Sequence, residues 1–373
     1  MSTQTLQKTV SDILALAGIK INGTDPWDLK IHNDRFYKRV LTDGTLGLGE
    51  SYLDGWWDCD QLDEFVFRAL RADLYKKASL GLRSSVDVLF AKMLNMQVKK
   101  KAANSAMRSY DLGNRLFQLT LDKRMAYTCG YWKDTDSLDI AENNKLDLVC
   151  RKLRIQPGQR VLDIGCGWGN FAKFAAEKYG AEVTGVSISQ RQVEFSREVC
   201  KGLPVEIRFQ DYRDVAEKFD HVVAMGFTEH VGYKNYRKYM QTVARCLNDD
   251  GLFLLQTIGH PFSKTTIDPF SNKYLFPNAV MPSIKQLAGA MEHIFIMEDL
   301  HNFGAYYDKT LMGWFQNFDR NWNELKEEYG ERFYRMWKYY LLTYAGSFRA
   351  RNNQLWQIVL SKKGVLGGYV SVR

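Results

Sequence analysis

The chain has 373 residues, 45% of them apolar, with 21 Phe, 20 Tyr and 9 Trp. That is enough for two domains with full cores, while no run of about eighteen apolar residues is available to span a bilayer. The formal net charge of +8 is concentrated: between Val66 and Arg108, ten Lys and Arg face only Asp73 and Asp87, and the rest of the chain is neutral.

In chain order, the opening MSTQTLQKTVSDILALAG reads as an amphipathic first helix and not a signal peptide. Residues 1–100 read as mainly helical, with turns expected at Gly44, Gly47, Gly49 and Gly55 in DGTLGLGESYLDGWW. The basic segment interleaves its charges with Leu80, Leu82, Val86, Leu89, Phe90, Met93, Leu94 and Met96 at near-helical spacing. Such a pattern suits an anionic membrane surface; it also suits nucleic acid, or simply a solvated helical face. From Arg160 an α/β alternation begins, with strands at 160–165, 181–189, 205–211, 219–226 and 251–259 separated mostly by helical patterns, as parallel crossovers require. A Pro-containing stretch (261–282), a strand at 295–300, a helix-like block at 309–349 and a strand at 355–363 follow. The six cysteines (59, 129, 150, 166, 200, 246) form no CxxC pair and no Cys/His cluster at zinc spacing, so they read as reduced thiols and no metal is expected.

The chemistry begins at VLDIGCGWGN (161–170). Gly165, Gly167 and Gly169 follow a strand and open a helix, where backbone amides face a ligand. The spacing is neither the dinucleotide fingerprint nor a P-loop, and no Lys or Arg in the loop neutralises a phosphate. Asp163 before the first glycine suits a ligand carrying an amino group, which favours S-adenosylmethionine. The expected fold is α/β: a Rossmann-like class I S-adenosylmethionine methyltransferase sheet with helical insertions. A smaller, mainly helical, lipid- or membrane-associated N-terminal domain (1–100) precedes this catalytic domain (101–373).

Further stretches identify a family. YTCGYW (127–132), GFTEHVG (226–232) and GLFLLQTIG (251–259), with SYDLGN, QDYRD, HNFGAYYD and FRARNNQLWQ, closely resemble cyclopropane-fatty-acid synthases. INGTDPWDLKI, FYKRVL and GLGESYLDGWW extend the resemblance through the first hundred residues, unlike the mycolic-acid cyclopropane synthases, which largely lack that domain. The resemblance implies methyl transfer from S-adenosylmethionine to the cis double bond of a phospholipid acyl chain. A carbocation results, and loss of a proton to bound bicarbonate closes the ring. It implies bicarbonate held by the backbone near Cys129 and Ile258 and by the side chains of Glu229, Tyr307 and Gln256. For the cofactor it implies Asp163, Gly165, Gly167, Ser187, Ile188 and Gln192, with Gln210, Asp211 and Tyr212 around the adenine and Tyr127 and Thr128 over the methionine part. Tyr110, Phe117, Tyr127, Tyr131, Trp132, Tyr274, Phe303, Tyr307 and Trp314 are candidate aromatic walls for a dry, cation-tolerant site, each of them also explicable as core packing. His230 reads as structural.

Two positions depart from the family pattern: Gln256 stands where His is usual, and Thr228 where Phe is usual. A neutral amide still donates to an anion but carries no charge. The expected partner is an unsaturated phospholipid bilayer with an anionic surface and not nucleic acid. The protein is expected to be cytoplasmic and peripherally associated with the inner membrane face; homodimerisation rests on resemblance alone. Two alternatives use the same loop or charge: methylation of another lipid or an amine without ring closure, and a membrane- or RNA-binding module with an inactive catalytic half. The intact loop and Glu229 argue against the latter.

Overall fold

The computed structural model describes residues 2–74 and 112–373. Most of the basic segment, Tyr110 and the expected domain boundary at residue 100 lie outside the described residues. In chain order the helices are α1 (Thr3–Ala15), α2 (Arg35–Leu53), α3 (Leu62–Arg71), α4 (Asn114–Thr120), α5 (Leu138–Leu153), α6 (Asn170–Tyr179) and α7 (Gln190–Val199). They continue with α8 (Tyr236–Cys246), α9 (Pro269–Tyr274), α10 (Ile284–Met291), α11 (Tyr306–Arg320) and α12 (Lys326–Arg349). The strands are β1 (Lys30–Ile31), β2 (Trp57–Asp58), β3 (Arg160–Ile164), β4 (Glu182–Ser187), β5 (Val205–Phe209), β6 (Phe219–Met225), β7 (Leu247–Gly259), β8 (Ile296–Asn302) and β9 (Gln354–Ser361). Among the described residues no helix is long and apolar enough to cross a membrane.

The described residues form two compact units. The first joins residues 2–74 to Ile267–Pro277 and Tyr307–Asn353, so the N-terminal region is completed by two later segments and is not self-contained. Trp57, wholly buried, packs against Phe36, Tyr52, Phe65 and Tyr339. Gly47 and Gly49, expected in turns, are helical: α2 runs through them and kinks only at Gly44, whose φ of 55° and ψ of −130° are non-helical. These two glycines serve packing. A Cβ on Gly47 would lie 2.4 Å from the Arg39 carbonyl oxygen, and one on Gly49 would lie 2.3 Å from the Phe270 ring. The single block expected at 309–349 is two helices, α11 and α12, parted by a short 3-10 turn at Trp322–Glu324.

The second unit holds a seven-stranded sheet in the order β5-β4-β3-β6-β7-β9-β8. The first five are parallel; β9 runs antiparallel to both β7 and β8. All seven expected strands are present, with shifted ends. Because side chains alternate, Leu162 and Ile164 of β3 face one side with Phe253 and Leu255, under Tyr236, Tyr239 and Met240 of α8. Val161 faces the other with Val183, Val223 and Leu254, under Leu146 and Val149 of α5 and Phe171 of α6. Each such buried aliphatic or aromatic side chain stabilises the fold by roughly 1.5–3 kcal/mol. From β3 the chain goes to β4 on one side, and later returns to β6 on the other. The carboxyl ends of β3 and β6 therefore flank a topological switch point, where open α/β sheets bind ligands.

Candidate active site

At that switch point lies a cavity of about 420 Å³. Its lining includes every residue expected to touch the cofactor: Tyr127, Thr128, Asp163, Gly165, Gly167, Ser187, Ile188, Gln192, Gln210, Asp211 and Tyr212. The glycine loop follows from its backbone. Gly165, Gly167 and Gly169 have φ of 76°, 54° and 79°, a region where side chains are strained. A Cβ on Gly165 would meet the Phe227 ring at 2.6 Å, whereas one on Gly167 would meet nothing within 4 Å.

Asp163 is buried, and its Oδ2 has no hydrogen-bond partner. Burial pushes its carboxyl up to about 7, and the Lys145 ammonium opposes that shift. An unpartnered carboxylate oxygen inside a cavity fits a cationic amino group. On β4, Ser187 donates its hydroxyl to Gln192 Oε1 at 3.1 Å, an arrangement that leaves the Gln192 amide nitrogen out of that bond. Ser189, not among the expected contacts, caps α7 by accepting from the Gln192 amide and also lines the cavity. Asp211 is less available than the sequence suggests: Arg213 Nε donates to its Oδ1 at 2.8 Å. Tyr127 packs edge-on to Phe117 and Trp168, while Trp168 donates to Asn114 Oδ1 at 3.0 Å. Phe227, inside GFTEHVG, and Lys238, which no motif marked, also line the cavity.

The residues expected around the anion divide. Glu229 lies in a short 3-10 turn after β6; its Oε1 accepts the Ile258 amide at 2.6 Å, and its Oε2 has no partner. Burial pushes its carboxyl up to about 7, against the pull of the Ile258 amide. The Ile258 N–H is thus taken up by Glu229. Gln256, on β7, is wholly buried; its Oε1 accepts from Gln357 Nε2 at 2.8 Å, leaving its own Nε2 without a partner. Cys129 is wholly buried, with its thiol 3.3 Å from the Gly130 carbonyl oxygen. The 127–132 loop approaches β6 closely, since a Cβ on Gly226 would lie 3.0 Å from Thr128 Cγ2. His230 lines the cavity and is kept neutral by burial, its pKa lowered to about 4. Thr228 is buried beside the Tyr239 phenol, and nothing in the structure explains its departure from Phe.

Tyr307 belongs to the first unit, stacked on Phe348 at 4.4 Å and edge-on to Trp314. The expected aromatic wall is therefore several clusters. Phe117 and Tyr127 stand beside the cavity; Tyr131 and Phe303 pack together in the second unit; Tyr274, Tyr307 and Trp314 lie in the first.

Residues 97–358 match the family profile described as mycolic acid cyclopropane synthetase. The chain is 48% identical over 361 residues to the cyclopropane-fatty-acyl-phospholipid synthase of Escherichia coli (strain K12), covering 97% of this chain and 94% of that one. A probable fatty acid methyltransferase of Pseudomonas putida is 34% identical over 278 residues, covering 71% and 70%. The solved structure of the mycolic acid cyclopropane synthase CmaA1, complexed with SAH and CTAB, superposes with a TM-score of 0.66 at 26% identity, covering 70% of this chain and 98% of that one. With its profile, its relatives and its sheet in agreement, the chain belongs to the mycolic acid cyclopropane synthetase family.

Proposed function

We propose that this protein is a cyclopropane-fatty-acyl-phospholipid synthase: it adds a methylene carbon from S-adenosylmethionine across the cis double bond of a phospholipid acyl chain. The observation that carries this is the 48% identity to the Escherichia coli synthase along nearly the whole chain, the N-terminal unit included. S-adenosylmethionine supplies an electrophilic methyl group, and bicarbonate accepts the proton whose loss closes the ring.

The chain's own residues do the rest. Asp163 and Thr128 receive the amino-acid part of the cofactor, Gln192 and Ser187 the ribose, and Gln210, Asp211 and Tyr212 the adenine side. A buried donor and a buried carboxyl oxygen without partners, Gln256 Nε2 and Glu229 Oε2, suit a small anion that both donates and accepts. With its pKa near 7, Glu229 exists in both protonation states at neutral pH and can match the anion's hydroxyl or its oxygen. The Ile258 amide acts through Glu229, fixing its carboxyl. Cys129 contributes its small size and backbone placement. Tyr307 is assigned to the same anion by family resemblance.

The membrane and the dimer belong to the same proposal. The basic, apolar-striped segment from Val66 to Arg108 would hold the enzyme on an anionic leaflet, each charge contributing about 1 kcal/mol close to the surface. Co-sedimentation with anionic vesicles should fall as salt rises. Equal binding to zwitterionic vesicles at low and high salt would remove this part. The function itself is tested by product analysis: ring closure adds one CH₂ and removes the alkene, while methylation without closure gives a branched chain.

A further inference from the structure

The loop that carries Thr128 and Cys129 is held from behind by charged residues that no motif marks. On α5, Glu142 and Lys145 stand three residues apart and both are wholly buried. Lys145 Nζ donates to Thr128 Oγ1 at 2.8 Å and faces Glu142 Oε2 at 3.2 Å. The same helix supplies the Ala141 carbonyl that accepts the Tyr131 amide at 2.8 Å. A Cβ on Gly130 would lie 3.0 Å from Ala141 and 3.3 Å from Glu142 Oε1, so loop and helix touch there without a side chain between them.

Three buried carboxyls face this one ammonium: Glu142 on its own helix, Asp122 after α4 and Asp163 at the cavity. Asp122 is engaged elsewhere, accepting the Ala126 and Arg124 amides at 2.7 and 2.9 Å. Asp163 keeps an unpartnered oxygen. A buried lysine in this position does two things. It fixes the Thr128 hydroxyl by taking one of its lone pairs, and its field favours the ionised form of Asp163.

We propose that Lys145 is a positioning residue for the cofactor: it orients Thr128 and brings its positive charge to the cavity wall that Thr128 shares with Asp163, so that a fixed hydroxyl and a carboxyl face the ligand's ammonium group together. Glu142 lies 3.2 Å from the ammonium in the same buried pocket, its carboxyl pushed toward the protonated form by burial. This rests on the assignment of the cavity to S-adenosylmethionine. The sequence hides the pair, since Glu and Lys three apart on a helix usually mark a solvated face.

The test is calorimetric titration of S-adenosylhomocysteine into the full chain across pH 6–9. Wild-type affinity should rise with pH as Asp163 ionises. Lys145→Met should weaken binding about tenfold at pH 7.5 and displace the rise upward by about one pH unit. Thr128→Val should weaken binding with no displacement, and adding it to Lys145→Met should cost less than the two single effects combined. Removing Lys145 alone strands buried carboxyls; if that variant does not fold, the Glu142→Gln/Lys145→Met double variant takes its place, with the same displaced profile expected. An unchanged pH profile in the lysine variant, or full additivity with Thr128→Val, overturns the inference. Failure of the wild type to bind S-adenosylhomocysteine would overturn the cofactor assignment instead.

Discussion

The Ile258 amide, near the end of β7, donates to Glu229 Oε1 at 2.6 Å and ties the turn after β6 to the neighbouring strand. The bond leaves Oε2 of this buried carboxyl without a partner. Glu229→Gln keeps the shape and an acceptor for Ile258 but loses the titratable group. It should retain S-adenosylhomocysteine affinity within about twofold and form rings about ten- to a hundredfold more slowly. Calorimetry beside product assays separates the two; loss of cofactor binding would place Glu229 in the wrong role.

Gly165→Val should abolish cofactor binding. The backbone there has φ of 76°, and a Cβ alone already meets Phe227 at 2.6 Å, so the cavity wall must move. Asp163→Ala should also lose binding, for a different reason: it removes the carboxylate that faces the ligand's ammonium. Added salt should leave the Gly165→Val defect unchanged. Wild-type binding strength should differ between pH 6 and pH 9.

The lining of the cavity was legible because the physics of the glycine loop is local. A strand, Asp163 and glycines at fixed spacing occupy under ten residues, and Ser187 and Gln192 follow at the next strand end. The strands were legible from runs of Val, Ile and Leu. What escaped was set by distant partners. Gly47 and Gly49 resemble turn residues, yet their missing side chains make room for Arg39 and Phe270. The antiparallel course of β9 depends on pairing with residues about a hundred positions earlier, such as Gln256 with Gln357. Tyr307 falls in the first unit, stacked on Phe348, although the residue before it falls in the second.

Glu142 gives a pH signature. Burial pushes its carboxyl up to about 8 despite Lys145. A carboxyl held above its unfolded value of about 4.3 keeps its proton longer in the native state. Its contribution to stability is complete below the unfolded value and is lost as pH rises toward 8. Glu142→Gln escapes that loss. The melting temperature of the variant should therefore gain on the wild type steadily from pH 5 to pH 8. A variant that falls further behind over that range would show that the carboxylate is stabilised in its ionised form.

Gln256 is held by Gln357 on β9, which donates to its Oε1 and leaves its amide nitrogen unpartnered. Gln256→His retains a ring nitrogen to accept from Gln357 and a second to donate, so it should keep substantial activity. Gln256→Ala should turn over about ten- to a hundredfold more slowly, with partial rescue by added bicarbonate. The assay varies bicarbonate at fixed pH after carbon dioxide has been purged. Full activity of Gln256→Ala without bicarbonate would remove both the residue and the anion from the mechanism.

Methylene transfer to a lipid alkene is read directly in the product. Purified protein is incubated with S-adenosylmethionine labelled in its methyl group and vesicles of cis-unsaturated phospholipid, and the acyl chains are analysed by mass and nuclear magnetic resonance. The expected chains are heavier by one CH₂, carry the label in a cyclopropane ring and have lost the double bond. Labelled chains bearing a methyl branch without a ring, or label confined to the head group, would contradict it.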